Sequence, residues 1–583
     1  MTFRKGHIMA AARRGLLASA FAMATGVAVA APIPADLILY HGNVLTVDPK
    51  DSVRSAIVVK GGKIVETGGD DLRTKYKAAR EIDLGGRTLL PGFSDTHMHP
   101  QTVSPRDIDV ASAKSVGEVQ AMLRAKVVQL GKGQWITGFG WQESNLAEDR
   151  NLSKEDLDAA APDNPVMLIR AGGHSAVSNS MALKLGGVDR NTPDPKSGLI
   201  EHEANGEPNG IIREGYDIVG RNIPRDKWED VKQGYIDKLR WLLSLGITSI
   251  HDASGKIDDE PVGKGGVADP GPDLTFKRAR EVYATMGDSL PRITMYILYP
   301  GHDRLAAFGH HTGYGDEHVR IGAIGENAVD GGFTGPTAWL LADYKGQPGF
   351  RGKGRFTDAE LQAMVDDAAS LGWQMGLHSI GDAAIQQAVK AYDIALNKIP
   401  GKDHAQLDRR WFTDHFTIMP PDATMEIMKR DNIMAAAQPN FLYNLEDRYM
   451  QTLDDWRLLH NNPVATPAHK FGIFVAFGSD NLPINPLVGL YAAITRKGPS
   501  GQVHGLAEEG VSRTEAIRMY TANGPYLSWE EKVKGTLEPG KYADMVVLPF
   551  DPMTADPEAI LRGKVDMTFI AGKLVYDRAA TKG

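Results

Sequence analysis

The chain has 583 residues, 42% of them hydrophobic, enough to bury one very large core. Its net charge of −8 and lack of a dense Lys/Arg patch argue against nucleic acid as a partner. It has no cysteine, which excludes disulfides, zinc ribbons and thiol nucleophiles and leaves His, carboxylate or modified Lys to hold any metal.

The first thirty residues (1–30) read as an export signal. Arg13 and Arg14 precede a small, apolar segment that closes in Ala28-Val29-Ala30 before Ala31-Pro32. Cleavage near Ala30 would release a periplasmic or secreted product, and no later stretch is apolar and long enough to anchor it in a membrane. The Arg-Arg-x-Leu-Leu order also resembles a twin-arginine signal, so two export routes stay open.

Short strands are expected at 36–40, 56–60 and 63–65, and again at 545–548, 565–570 and 573–576. Two β-rich ends suggest one composite β-sandwich built from 31–88 and 535–583. Between them, apolar strands alternate with helical stretches, the pattern of a parallel α/β structure. The first strand ends at His97 and seven more end near Ile250, Tyr299, Glu326, His378, His415, Gln438 and Asp480. Eight such units predict a (β/α)8 TIM-like barrel over 89–534. The gap of about 105–235 is too long for one crossover and is expected to form an insertion domain over the barrel mouth. A Gly/Pro-rich stretch at 263–272 reads as a mobile loop near the active face.

The chemistry begins at Leu89-Leu90-Pro91-Gly92-Phe93-Ser94-Asp95-Thr96-His97-Met98-His99. Side chains alternate along a strand, so His97 and His99 share a face and make half of a metal site. Later strand ends supply His378, His415 and Asp480. Taken singly, each could cap a helix. Taken in order on one barrel, four histidines and an aspartate suit one or two Zn²⁺ ions, with Fe, Mn or Co as alternatives.

Nearly all of the chain after the signal resembles the amidohydrolase superfamily, and within it the branch of N-substituted formamide deformylases and related exported amidases. The residues that carry the resemblance include Leu157-Asp158-Ala159-Ala160-Ala161-Pro162, Gly173-His174-Ser175-Ala176 and Asn209-Gly210-Ile211-Ile212-Arg213-Glu214. They continue through His378-Ser379-Ile380-Gly381-Asp382, Gly478-Ser479-Asp480 and the tail 535–544. The family commonly places a metal-bridging, carboxylated Lys four residues before an Asp-Gly pair. Here Glu326 stands at that offset from Asp330-Gly331, and we expect it to bridge two ions; a place beside a single-metal site is the alternative.

The resemblance implies a hydrolase of a small organic amide, N-acyl or N-substituted. Metal lowers the pKa of water from about 15.7 toward about 7. Asp480 then acts as general base and acid. His174, in Gly172-Gly173-His174, is the expected donor to the developing oxyanion. Trp141, Glu214 and Phe441 are expected to contact substrate, with Phe139, Trp339 and Tyr443 as further candidates for an apolar pocket. His251 is expected to pack near the site rather than ligate. The same fold hosts ester and lactone hydrolases, deaminases and isomerases, and a non-catalytic periplasmic binding protein is a third reading. Such barrels often form homo-oligomers, but no interface is legible in the sequence.

Overall fold

The computed structural model describes residues 31–100, 104–196, 198–258, 274–399 and 408–580. The export signal and the 263–272 loop lie outside the described residues.

At the centre, eight strands run side by side in chain order: Phe93–Met98, Ile247–Asp252, Arg292–Ile297, Val319–Gly325, Met375–Ser379, Phe412–His415, Met434–Ala437 and Val475–Phe477. All seven pairings are parallel. Every strand is buried on both faces, as an α/β barrel requires. The seam between the eighth and first strands is closed without a ladder. The Asp480 N–H donates to the His97 carbonyl (2.8 Å), and Asp95 Oδ1 accepts from the N–H groups of Ser479 (2.9 Å) and His97 (3.2 Å). Burial pushes the Asp95 carboxyl up to about 7.

The outer helices are amphipathic. In Asp358–Ser370 the buried positions are Leu361, Met364, Val365, Ala368 and Ala369, the three-and-four spacing of one helix face. A capping box of Thr357 and Glu360 starts that helix. Inside the barrel, Tyr296, Phe412, Met434 and Ala476 pack with Leu527 and Tyr526.

Two further sheets face each other around Leu39, Val59, Leu89, Val547 and Phe569. One holds Ile33–Tyr40, Ala56–Lys60, Lys63–Gly68 and Tyr76–Asp83. In the other, Thr88–Pro91 pairs antiparallel with Met545–Leu548, which joins the two ends of the chain. This corrects one reading. The run Leu89-Leu90-Pro91 belongs to the sandwich sheet, and the barrel strand starts only after Gly92. The Gly92 N–H bonds to Asp544 in the sandwich, whereas the Phe93 N–H bonds to Gly246 at the barrel.

Between the first two barrel strands lies a six-stranded sheet of Asp107–Ile108, Ile136–Trp141, Val166–Arg170, Ser175–Ser178, Leu199–His202 and Pro208–Arg213. Separate hydrophobic clusters form around Leu123 and Leu157 and around Leu183 and Val219. The helix Trp228–Leu243 already packs in the barrel core through Tyr235, Ile236 and Leu239, so the inserted unit ends before residue 228 rather than near 235.

Candidate metal centre

The barrel brings His97, His99, Glu326, His378, His415 and Asp480 together at the C-terminal ends of its strands. Three groups of ligand atoms each lie within 4.8 Å of one another: His97, His99 and Glu326; His97, His415 and Asp480; Glu326, His378 and His415. Glu326 is common to two of them. Its Oε1 lies 3.2 Å from His378 Nδ1, 3.7 Å from His99 Nε2 and 3.9 Å from His97 Nε2, and its Oε2 lies 3.7 Å from His415 Nε2. The Nε2 of His99 is 3.8 Å from Asp480 Oδ1, and the facing nitrogens of His378 and His415 are 2.8 Å apart.

Glu326 sits just past the end of its strand. The fourth strand ends at Gly325, and Glu326 turns out of it in the left-handed region, with φ 54°. His415 (φ 70°) and Asp480 (φ 53°) are held in the same conformation. Each such residue costs on the order of 1 kcal/mol, and such strain clusters at functional sites.

The cluster fits a cation. His97 Nε2, His378 Nε2 and Glu326 Oε2 are buried and have no hydrogen-bond partner among the described residues. Buried polar atoms left unpaired are costly, and two of these lie within the cluster, His97 Nε2 at 3.9 Å from Glu326 Oε1 and Glu326 Oε2 at 3.7 Å from His415 Nε2, whereas His378 Nε2 lies 3.8 Å from Asp330 Oδ1. Burial acts against the Glu326 carboxylate, but the charge of His97 and hydrogen bonds from His378 and His415 outweigh it and hold the group well below its usual range. Burial likewise pushes His378 down to about 3, leaving a neutral ring able to ligate.

The ring nitrogens that face away from the cluster are held by residues the sequence reading did not single out. His97 Nδ1 donates to Asp414 Oδ2 (2.7 Å), and His415 Nδ1 donates to Gln438 Oε1 (2.9 Å). Such partners orient ligating histidines and fix their tautomers. Asp414 directly precedes His415 in Thr413-Asp414-His415, and that adjacency was the available signal. His251 donates from Nδ1 to the Tyr296 hydroxyl (2.9 Å), which donates in turn to the Thr96 carbonyl (2.8 Å).

A cavity of about 150 Å³ opens above the cluster, with His99, Glu326, His378, His415 and Asp480 in its lining. Phe139, Met167, Ile169 and Tyr216 of the inserted unit give it an apolar wall, and His174 also faces it.

None of the three residues expected to contact substrate lines this cavity, though Phe441 lines a smaller one beside His174 and Asp480. Trp141 is buried in the core of the inserted unit, its Nε1 donating to the Leu168 carbonyl. A bulge at Gly140 (φ 101°) shifts the register, so Phe139 lines the cavity and Trp141 does not. Phe441 stacks behind His415, with ring centroids 5.7 Å apart, and backs that ring. Glu214 is buried against His174 and Arg355, while Arg213 pairs with Glu201 instead.

A model of the amidohydrolase family matches residues 80–576. Amidohydrolase YtcJ of Bacillus subtilis (strain 168) is 28% identical over 568 residues, which cover 93% of this chain and 99% of the relative. The N-substituted formamide deformylase of Arthrobacter pascens is 26% identical, over 94% of this chain and 99% of its own length. Among solved structures, a metal-dependent hydrolase from Pyrococcus horikoshii OT3 superposes with a TM-score of 0.66 at 22% identity, covering 90% of this chain and 99% of that one. At that identity the likeness speaks for the fold.

Proposed function

Because the chain belongs to the amidohydrolase family and is a metal-dependent hydrolase, we propose that it cleaves the C–N bond of a small organic amide, N-acyl or N-substituted. The observation that carries this reading is Asp480, set 3.8 Å from His99 beside unpartnered ligand atoms on the floor of a cavity with an apolar wall. The amide chemistry draws support from the deformylase relative, which is similar over its whole length.

His97, His99, Glu326, His378, His415 and Asp480 would hold the metal, with Zn²⁺ the best match to this nitrogen and oxygen set and Glu326 placed to serve two ions. When bound, the metal supplies Lewis acidity, which brings the pKa of water toward neutrality and polarises the scissile carbonyl. The protein does the rest. The Asp480 carboxylate takes the proton of the attacking water and returns it to the leaving nitrogen. Its backbone is tied to His97, and its Oδ1 accepts from the Asn481 N–H (2.7 Å), so the carboxylate is held in place over the floor. His174 faces the same space and would donate to the carbonyl oxygen as negative charge builds there. Phe139, Met167, Ile169 and Tyr216 exclude water from the substrate's apolar substituent.

The test is metal analysis of the purified protein together with a screen of N-acyl amides, run on the parent and on Asp480→Ala. We expect bound metal with amide turnover in the parent. In Asp480→Ala, turnover should fall by about 10²–10⁴-fold with most of the metal retained. Bound metal without turnover of any amide would overturn the amide reading and turn the search to esters, lactones and isomerisation. Full activity in Asp480→Ala would remove that residue from the reaction.

A further inference from the structure

Glu214 stands where the inserted unit meets the long loop after the fourth barrel strand. It follows the strand Pro208–Arg213 in the left-handed region (φ 49°), and its side chain is 4% exposed. It grips His174 twice. Its backbone N–H donates to the His174 carbonyl (3.0 Å), and its Oε1 accepts from His174 Nδ1 (3.0 Å). The barrel loop holds the carboxylate from the other side: Thr337 Oγ1 donates to Oε1 (2.6 Å), and the Arg355 guanidinium pairs with Oε2. Burial works to raise the acid's pKa, but Arg355 and His174 outweigh it and lower it to about 2, so the group is ionised.

An ionised carboxylate can only accept hydrogen bonds. His174 Nδ1 must therefore carry a proton, whether the ring is neutral or doubly protonated. Space on the opposite face of the ring comes from the absence of a side chain at Gly332. A Cβ there would lie 2.7 Å from His174 Nε2 and closer still to Cδ2. A Cβ at Gly331 would in turn collide with Thr337 and Glu214.

The geometry points to Glu214 as a positioning residue, one that fixes the ring plane and tautomer of His174 so that Nε2 alone meets the substrate. Its partners come from the inserted unit and from the barrel loop, so the clamp forms only when those two parts are docked. The inference rests on the amide-hydrolysis reading of the same site.

The experiment compares Glu214→Gln, His174→Ala and the double variant for kcat, KM and metal content, and follows the downfield imidazole protons by NMR. Glu214→Gln should lose about 10–100-fold in kcat, with KM and metal content unchanged. The double variant should be no slower than His174→Ala, because both changes remove one interaction. Losses that multiply, a fall in metal content, or a rise in KM alone would overturn the proposal. Should Glu214→Gln fail to fold, Gly332→Ala reaches the same ring from its other face, and its loss should also be absent on a His174→Ala background. A downfield proton that vanishes in His174→Ala and shifts in Glu214→Gln reports the clamp without any substrate. Its absence from the parent would overturn the clamp. Its presence in a parent inactive on every amide would support the clamp and reject the reaction.

Discussion

Glu326 shows how one residue can organise a centre. Lying within 4 Å of nitrogens from all four histidines, it places a permanent negative charge among them. Glu326→Gln keeps the shape and removes the charge, so metal content per chain should fall when measured by plasma mass spectrometry. Unchanged occupancy would take Glu326 out of the ligand set. A second prediction concerns His251, which burial pushes down to about 3 from an ordinary 6.5. The unfolded chain takes up that proton below about 6.5, while the folded chain resists it until about 3. The stabilising contribution is therefore complete above 6.5 and shrinks as pH falls toward 3, by on the order of 2 kcal/mol at pH 5. His251→Phe should narrow the gap between urea midpoints at pH 7.5 and pH 5. An equal gap in parent and variant would show that another group carries the acid sensitivity.

At the scale of elements, the passage from sandwich to barrel depends on Gly92. A Cβ there would fall inside the Thr248 side chain, which is β-branched and buried and has little room to yield. Gly92→Ala should destabilise by about 1–3 kcal/mol, read as a lower thermal midpoint, and an unchanged midpoint would mean the second strand gives way. This junction also marks the limit of what the chain discloses. The eight barrel strands were legible because short stretches rich in apolar residues alternate with helical ones, and their observed ends fall within three residues of the expected ones. His97, His99, His378, His415 and Asp480 were legible for the same reason, since strand order puts their ends on one rim. The switch of sheets inside Leu89–Phe93 was hidden, because both halves are apolar and only the hydrogen-bond partners differ. The bulge at Gly140 was equally silent, and it misplaced Trp141. Thr337 and Arg355, which hold Glu214, lie 123 and 141 positions from it, too far apart for any local pattern to reveal.

Over the whole molecule, the cavity exists only because the inserted unit stays seated on the barrel. The barrel supplies the floor, and Phe139, Met167 and Ile169 supply a wall that belongs to a different core. Glu143 is one of the ties across that boundary. It pairs with Arg170 at the end of an inserted strand (2.6 Å) and with Arg448 on the barrel helix Glu446–Thr452. Arg170 is largely buried, and its charge and that of Arg448 are both met by this one carboxylate. Glu143→Gln removes that charge without touching any candidate ligand. The inserted unit should then sit less firmly, which would disturb the wall and leave the floor intact. The expected result is a several-fold rise in KM for an amide with an apolar substituent, with metal content unchanged and a smaller effect on kcat. The rise should shrink for a short substituent that does not reach Phe139. An equal rise for both substrates would mean that the tie controls entry to the cavity, not the shape of its wall.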